Sequence, residues 1–202
     1  MKCHNRKFLS ITPAPKNDTL EKHPGFPDTL VDYLSGREIP FSNKDNIRQK
    51  LVKTLVEVKG YRREDISLER EISFEIEGLK VCSPVDISIG FGGKTLMVFK
   101  CASGSVVSRE RQIIAAARLL EEYVIPFAVV TNGVNIELLD TISEKVIGEG
   151  MQLIPSRQEL LENSGNLILK STKEKKLVYE QRILYTYDEI SCKIASSNGP
   201  AA

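Results

Sequence analysis

The chain carries almost no net charge, with 28 lysines and arginines against 27 aspartates and glutamates in 202 residues. That balance removes a global basic field as an argument for a nucleic-acid partner and leaves only local patches to supply one. The four cysteines (Cys3, Cys82, Cys101 and Cys192) include no C-x-x-C pair. A zinc site is therefore not expected, and Cys82 and Cys101 read as buried reduced thiols. No apolar run approaches the roughly 20 residues of a membrane span, and the start MKCHNRKFLSITP lacks the apolar stretch of a signal peptide. Internal repeats and low-complexity segments are also missing. What remains is a cytoplasmic expectation, with a 41% hydrophobic fraction sufficient for one globular domain and tails.

Five of the nine prolines fall in residues 1–40, so this stretch reads as an extended N-terminal arm, with room for a short helix or strand at Thr29–Leu34. From Asp45 to Lys59 the residues Ile47, Leu51, Leu55 and Val58 recur at helical spacing, behind a cap at Ser42 or Asn43 and before a stop at Gly60. Ile66–Glu77 alternates apolar with polar and reads as a strand with a carboxylate-rich outer face. Val81–Ile89 and Thr95–Cys101 form two strands around a glycine-containing turn, and the second is apolar at both parities, as a central strand should be. A helix over Val106–Val124, a buried strand PFAVVT, and short strands at Asn135–Leu139 and Lys145–Ile147 follow. Two more helices are expected at Pro155–Asn163 and Glu174–Ile194, the last docking through Leu177, Ile183, Leu184 and Tyr187. Ser196–Ala202 reads as a frayed tail. The order predicts a three-layer α/β/α sandwich with a mixed central sheet, its domain spanning residues 41–163 and a helical extension spanning 164–202.

Chemistry concentrates in PVDISIGFGGKTLMVFKC, residues 84–101. A register symmetric about Gly93 sets Asp86 opposite Lys100. Alternate residues on a strand share a face, so Val98 belongs to the same face. Phosphodiester hydrolysis with Mg²⁺ uses one or two carboxylates as hard ligands, together with a lysine that stabilises developing charge. Asp86 and Lys100 supply an acid and a lysine; Val98 stands where a second acid is needed. Each residue also has a plainer reading: Asp86 as a solvent-facing strand residue, Lys100 as a snorkelling one. Arg48, Arg109, Arg111 and Arg118 are candidates for phosphate contacts and read equally as helix-surface charges.

The ordered run DYLSGREIP, IRQKLVKTLVEVKGYRREDI, PVDISI, TLMVFKCASGS, SRERQIIAAARLL and PFAVVTNG resembles the N-terminal nuclease domain of type I restriction enzyme R subunits. It is closer still to small stand-alone proteins built from that domain, over about residues 28–160. The resemblance implies a restriction-endonuclease-like PD-(D/E)xK fold, Mg²⁺ as cofactor and DNA as substrate. It assigns Asp86 to the metal-binding aspartate and Lys100 to the motif lysine. Gln112 matches a glutamine of the domain and joins Arg48 and Arg109 as a nucleic-acid-binding candidate, although the aromatic residue often found four positions later is Ala116. Asp45 is nearest to an acid at the start of the family's first helix. The motif glutamate falls on Val98, and Glu110 is the candidate replacement, unless it is a solvated charge of the SRERQ run. A module with a degenerate active site, binding DNA or a protein, is the leading expectation. An active Mg²⁺-dependent endonuclease and a scaffold with no nucleic-acid role are the alternatives. GFGGKT at 90–95 lacks Walker spacing, so a restriction or repair partner would have to supply any motor.

Overall fold

A computed structural model of the chain describes residues 27–167, 169–171 and 174–187. Its centre is a six-stranded sheet in sequential order: β3 (Ile66–Ile76), β4 (Leu79–Phe91), β5 (Lys94–Cys101), β6 (Phe127–Thr131), β7 (Ile136–Asp140) and β8 (Lys145–Glu149). Only β5 and β6 run parallel, joined by a helical crossover, so the sheet is mixed as expected. A separate hairpin, β1 (Thr29–Val31) with β2 (Glu38–Pro40), occupies the end of the proline-rich segment. The first 26 residues and the Ser196–Ala202 tail lie outside the described residues.

Helix α1 (Asn43–Glu57) starts at Ser42, whose Oγ accepts the Asp45 N–H at 3.0 Å and donates to Asp45 Oδ2 at 2.6 Å. This cap satisfies one of the helix's free amides and fixes its first turn in place. Leu51, Val52 and Leu55 of α1 bury against Ile87, Ile89, Met97 and Phe99, with Leu160 of α3 (Arg157–Ser164) joining the same face. On the opposite face α2 (Glu110–Leu119) packs Ile113, Ile114 and Ala117 against Val98, Ala128 and Val130. Helix α4 (Glu174–Tyr187) lies over α2 and also touches β3 and β4. The three layers of the α/β/α sandwich are thus α1 with α3, the sheet, and α2 with α4.

The expected second helix is shorter than its apolar pattern, because Val107–Arg109 form a 3-10 turn and Leu120 caps the end ahead of Pro126. α4 docks through Leu184 as expected, but Glu180 is equally buried. Its carboxylate reaches Arg118 at 2.6 Å and Arg111 at 3.1 Å, while Glu144 meets Arg118 at 2.7 Å and Lys176 at 3.0 Å. Arg111 and Arg118 are therefore bound into the α2–α4 interface. Cys101 is a free, buried thiol, but Cys82 is disulfide-bonded, which corrects its reading as a reduced thiol.

β3 holds the feature that shapes the site. Ile66 and Leu68 pack into the α1-side core, whereas Ile72 and Phe74, of the same parity, pack into the α2-side core. Between them Glu69 takes φ +52°, a value uncommon for a residue with a Cβ, and the β3–β4 ladder skips from Leu68↔Ile87 to Arg70↔Val85. A strand that kinks there delivers alternate side chains to two different cores. The skipped position faces Asp86.

Candidate functional site

The β4–β5 hairpin closes through Gly92 and Gly93, both at positive φ (+56° and +77°), the conformation that two-residue hairpin loops require. The register then follows the symmetric expectation: Ile89↔Met97, Ser88↔Val98 and Ile87↔Phe99. Beyond Ile87↔Phe99 the ladder stops and the strands fork. The Cys101 N–H, which an unbroken ladder would pair with the β4 backbone, donates instead to Asp86 Oδ2 at 2.7 Å. The Asp86 side chain thereby replaces a backbone acceptor at the fork, which explains why a fully buried carboxylate is tolerated there.

The second oxygen of Asp86, Oδ1, makes no aligned hydrogen bond but lies 2.5 Å from Nζ of Lys44, in the first turn of α1. Arg48, one turn further on, reaches Asp45 at 2.7 Å and Glu69 at 2.6 Å. Burial pulls the Arg48 guanidinium toward neutrality, but the Glu69 hydrogen bond and the charges of Glu69, Asp45 and Asp86 outweigh it and hold the group charged. Lys100 is buried, with Nζ 3.5 Å from the Pro84 carbonyl oxygen. Burial pushes the Cys101 thiol up and Asp86 adds to this, while Lys44, Arg48 and Lys100 pull the other way and lose. Cys101 therefore stays protonated and is no nucleophile. The same set of influences places three cations around the fork.

The fold brings Asp86, Lys100 and Asp45 to one end of the sheet; Glu110 engages Glu137, which the register sets two strands from Lys100, in the row Lys100↔Val130↔Glu137. Glu110 acts on Glu137 of β7: burial pushes the Glu137 carboxyl up, and the charges of Glu110 and Glu149 push it further. Val98 is fully buried among the apolar residues of the α2-side core. Arg109 donates to Gln112 Oε1 at 3.2 Å and lies 6.0 Å over the ring of Tyr187, so these two binding candidates contact each other and α4. A cleft of about 520 Å³ opens at the other end of the hairpin, lined by Ser67, Arg70, Ser88, Lys94 and Glu121; neither Asp86 nor Lys100 belongs to it.

The residues at the fork do not fit Mg²⁺. That ion needs near-octahedral oxygen ligands, and one or two carboxylates normally anchor it. Here one oxygen of Asp86 serves the Cys101 amide and the other faces an ammonium. Asp45 is committed to Ser42 and Arg48. Among the described residues no group of three His, Cys, Asp or Glu side chains could hold a metal ion. Lys44, Arg48 and Lys100 already balance Asp86, Asp45 and Glu69, so a dication would enter as two uncompensated charges.

Sequence reasoning reached Asp86, Lys100 and Asp45 and missed Lys44 and Glu69. Both look like surface charges in the sequence, Lys44 at a helix start and Glu69 on the polar face of an alternating strand. A lysine in a helix's first turn is nonetheless electrostatically misplaced, and that was the available signal.

The fold and fork define a mixed-sheet α/β sandwich whose central hairpin presents one acid and one lysine where its strands part. Residues 43–155, more than half of the chain, match the family described as type I restriction enzyme R protein N terminus, and the chain belongs to that family. Neither the curated proteins nor the solved structures contain a match to it. Membership gives the protein a restriction-related setting. Among the described residues no helix is long and apolar enough to cross a membrane.

Proposed function

We propose that this chain is a nuclease-fold module of a restriction system that does not cut, and that it acts by binding a protein partner. The observation that carries the reading is the state of Asp86. Its carboxylate is committed to the Cys101 amide and the Lys44 ammonium, beside a buried valine where the PD-(D/E)xK pattern calls for an acid. An active endonuclease with a migrated ligand would need a further acid free to hold a metal beside Asp86; Asp45 and Glu69 are paired with Arg48, and Glu110 interacts with Glu137.

Internal charge pairing favours a protein over DNA. Arg48 is bound to Asp45 and Glu69, Arg111 to Glu180, Arg70 to Glu121, and Arg157 to Asp65. Phosphate contacts need cations that are free to displace counterions, and each such contact steepens the salt dependence of binding. A fluorescence-anisotropy titration with duplex DNA in EDTA is expected to show weak binding with a shallow salt slope. Tight binding that falls by orders of magnitude between 50 and 200 mM salt would make DNA the partner instead.

A further inference from the structure

We propose that the Lys44 ammonium is the resident cation of the Asp86 carboxylate, built into α1 at the position a divalent ion would otherwise take. The proposal rests on the reading of the fork as a non-cleaving site and gives its physical cause.

Three observations carry it. Nζ of Lys44 sits 2.5 Å from Oδ1, the one Asp86 oxygen that no hydrogen bond claims, while the carboxylate is fully buried and the lysine side chain is 36% exposed. The cation therefore enters from solvent and closes the carboxylate off. Second, Lys44 lies in the first turn of α1, where the helix dipole disfavours positive charge and favours acids. The helix does not explain a lysine there; the carboxylate opposite does. Third, the first turn is pinned from both sides. Ser42 and Asp45 lock the cap, and Arg48 ties the turn to Asp45 and to Glu69 at the β3 kink. Lys44 thus projects from a fixed platform, and its ion pair needs little further ordering.

The test uses the full chain and Mn²⁺ as the probe. Wild-type protein is expected to show no saturable Mn²⁺ binding by electron paramagnetic resonance, and a melting temperature indifferent to Mn²⁺ or EDTA. Lys44→Glu replaces the cation with a second carboxylate beside Asp86. This variant should melt below wild type in EDTA, bind Mn²⁺ at least tenfold more tightly than wild type, and regain melting temperature when Mn²⁺ is added. The double variant K44E/D86N should lose that gain. Lys44→Met, which keeps the aliphatic stem, should melt below wild type and acquire weaker Asp86-dependent Mn²⁺ binding. Wild-type binding of Mn²⁺ that disappears in Asp86→Asn would overturn the proposal. So would a Lys44→Met protein that melts with wild type and still ignores Mn²⁺. Failure of the non-cleaving reading is separately visible, as DNA strand breakage by the wild-type protein.

Discussion

Replacing Glu180 with alanine is expected to destabilise the protein by about 3–5 kcal/mol, because removing one member of a buried ion pair strands its partner. The side chains of Arg118 and Glu180 are 3% and 0% exposed, and the guanidinium also donates to the Thr141 carbonyl at 2.7 Å. Without Glu180 the Arg118 charge loses its fully buried partner, and Arg111 loses its bond across the α2–α4 seam. Thermal melting should show a drop on the order of 10 °C. Hydrogen exchange should quicken across residues 174–187 before the central strands respond. Replacing both Arg118 and Glu180 by methionine and leucine should cost less than Glu180→Ala alone, since no buried charge is stranded and the half-exposed Arg111 and Glu144 keep each other as partners. The same latch is sensitive to acid. Burial pushes the Glu144 carboxyl up, but hydrogen bonds from Arg118 and Lys176 and the charges of Arg118 and Arg111 outweigh it and hold it at about 2, below its ordinary 4.5. A depressed carboxyl stabilises the fold fully above its unfolded value, and that contribution fades as pH falls from about 4.5 towards 2. Glu144→Gln should flatten the melting-temperature profile in that window.

Replacing Asp86 with alanine is expected to weaken the fold whether Mg²⁺ or EDTA is present. The Cys101 N–H loses its acceptor at a buried position, a cost of about 1–3 kcal/mol before any cavity is counted. Lys44 loses its partner as well, although its partial exposure lets the ammonium return to water. Asp86→Asn should be milder, because an amide oxygen can still accept the Cys101 N–H. The sign of the effect separates two accounts. A carboxylate kept for chemistry is commonly a stability burden, and its removal is neutral or stabilising. A carboxylate that completes a broken ladder is a stability asset. Differential scanning fluorimetry of Asp86→Ala and Asp86→Asn, each with Mg²⁺ and with EDTA, distinguishes them.

Local pattern made much of this fold legible. The alternation over 66–77, the two-faced apolar run at 95–101 and the paired glycines predicted the hairpin and its register, since side-chain period and turn chemistry are short-range properties. The helix spacing after Ser42 located α1 to within two residues at each end. What stayed hidden was long-range. Nothing near Lys44 in the sequence points to Asp86, forty-two positions away, and nothing near Glu180 points to Arg118. The kink at Glu69 was invisible for a related reason. Alternation reports that residues share a face, but not that the face changes core partway along a strand. Three of the arginines read as candidate phosphate contacts, Arg48, Arg111 and Arg118, fared similarly, because Glu69, Glu180 and Glu144 come from other elements.

The valine at position 98 was legible from the start, and the structure adds why it matters. It fills an apolar core, and the neighbouring aspartate has been taken up by the protein's own amide and ammonium. The central claim is that this fork does not cleave DNA. Its most direct test is the conversion of supercoiled plasmid to nicked circles by the purified full chain with Mg²⁺ or Mn²⁺, with Asp86→Ala alongside. The account predicts that the plasmid stays supercoiled with both proteins. Metal-dependent nicking by the wild type that vanishes in Asp86→Ala would contradict it.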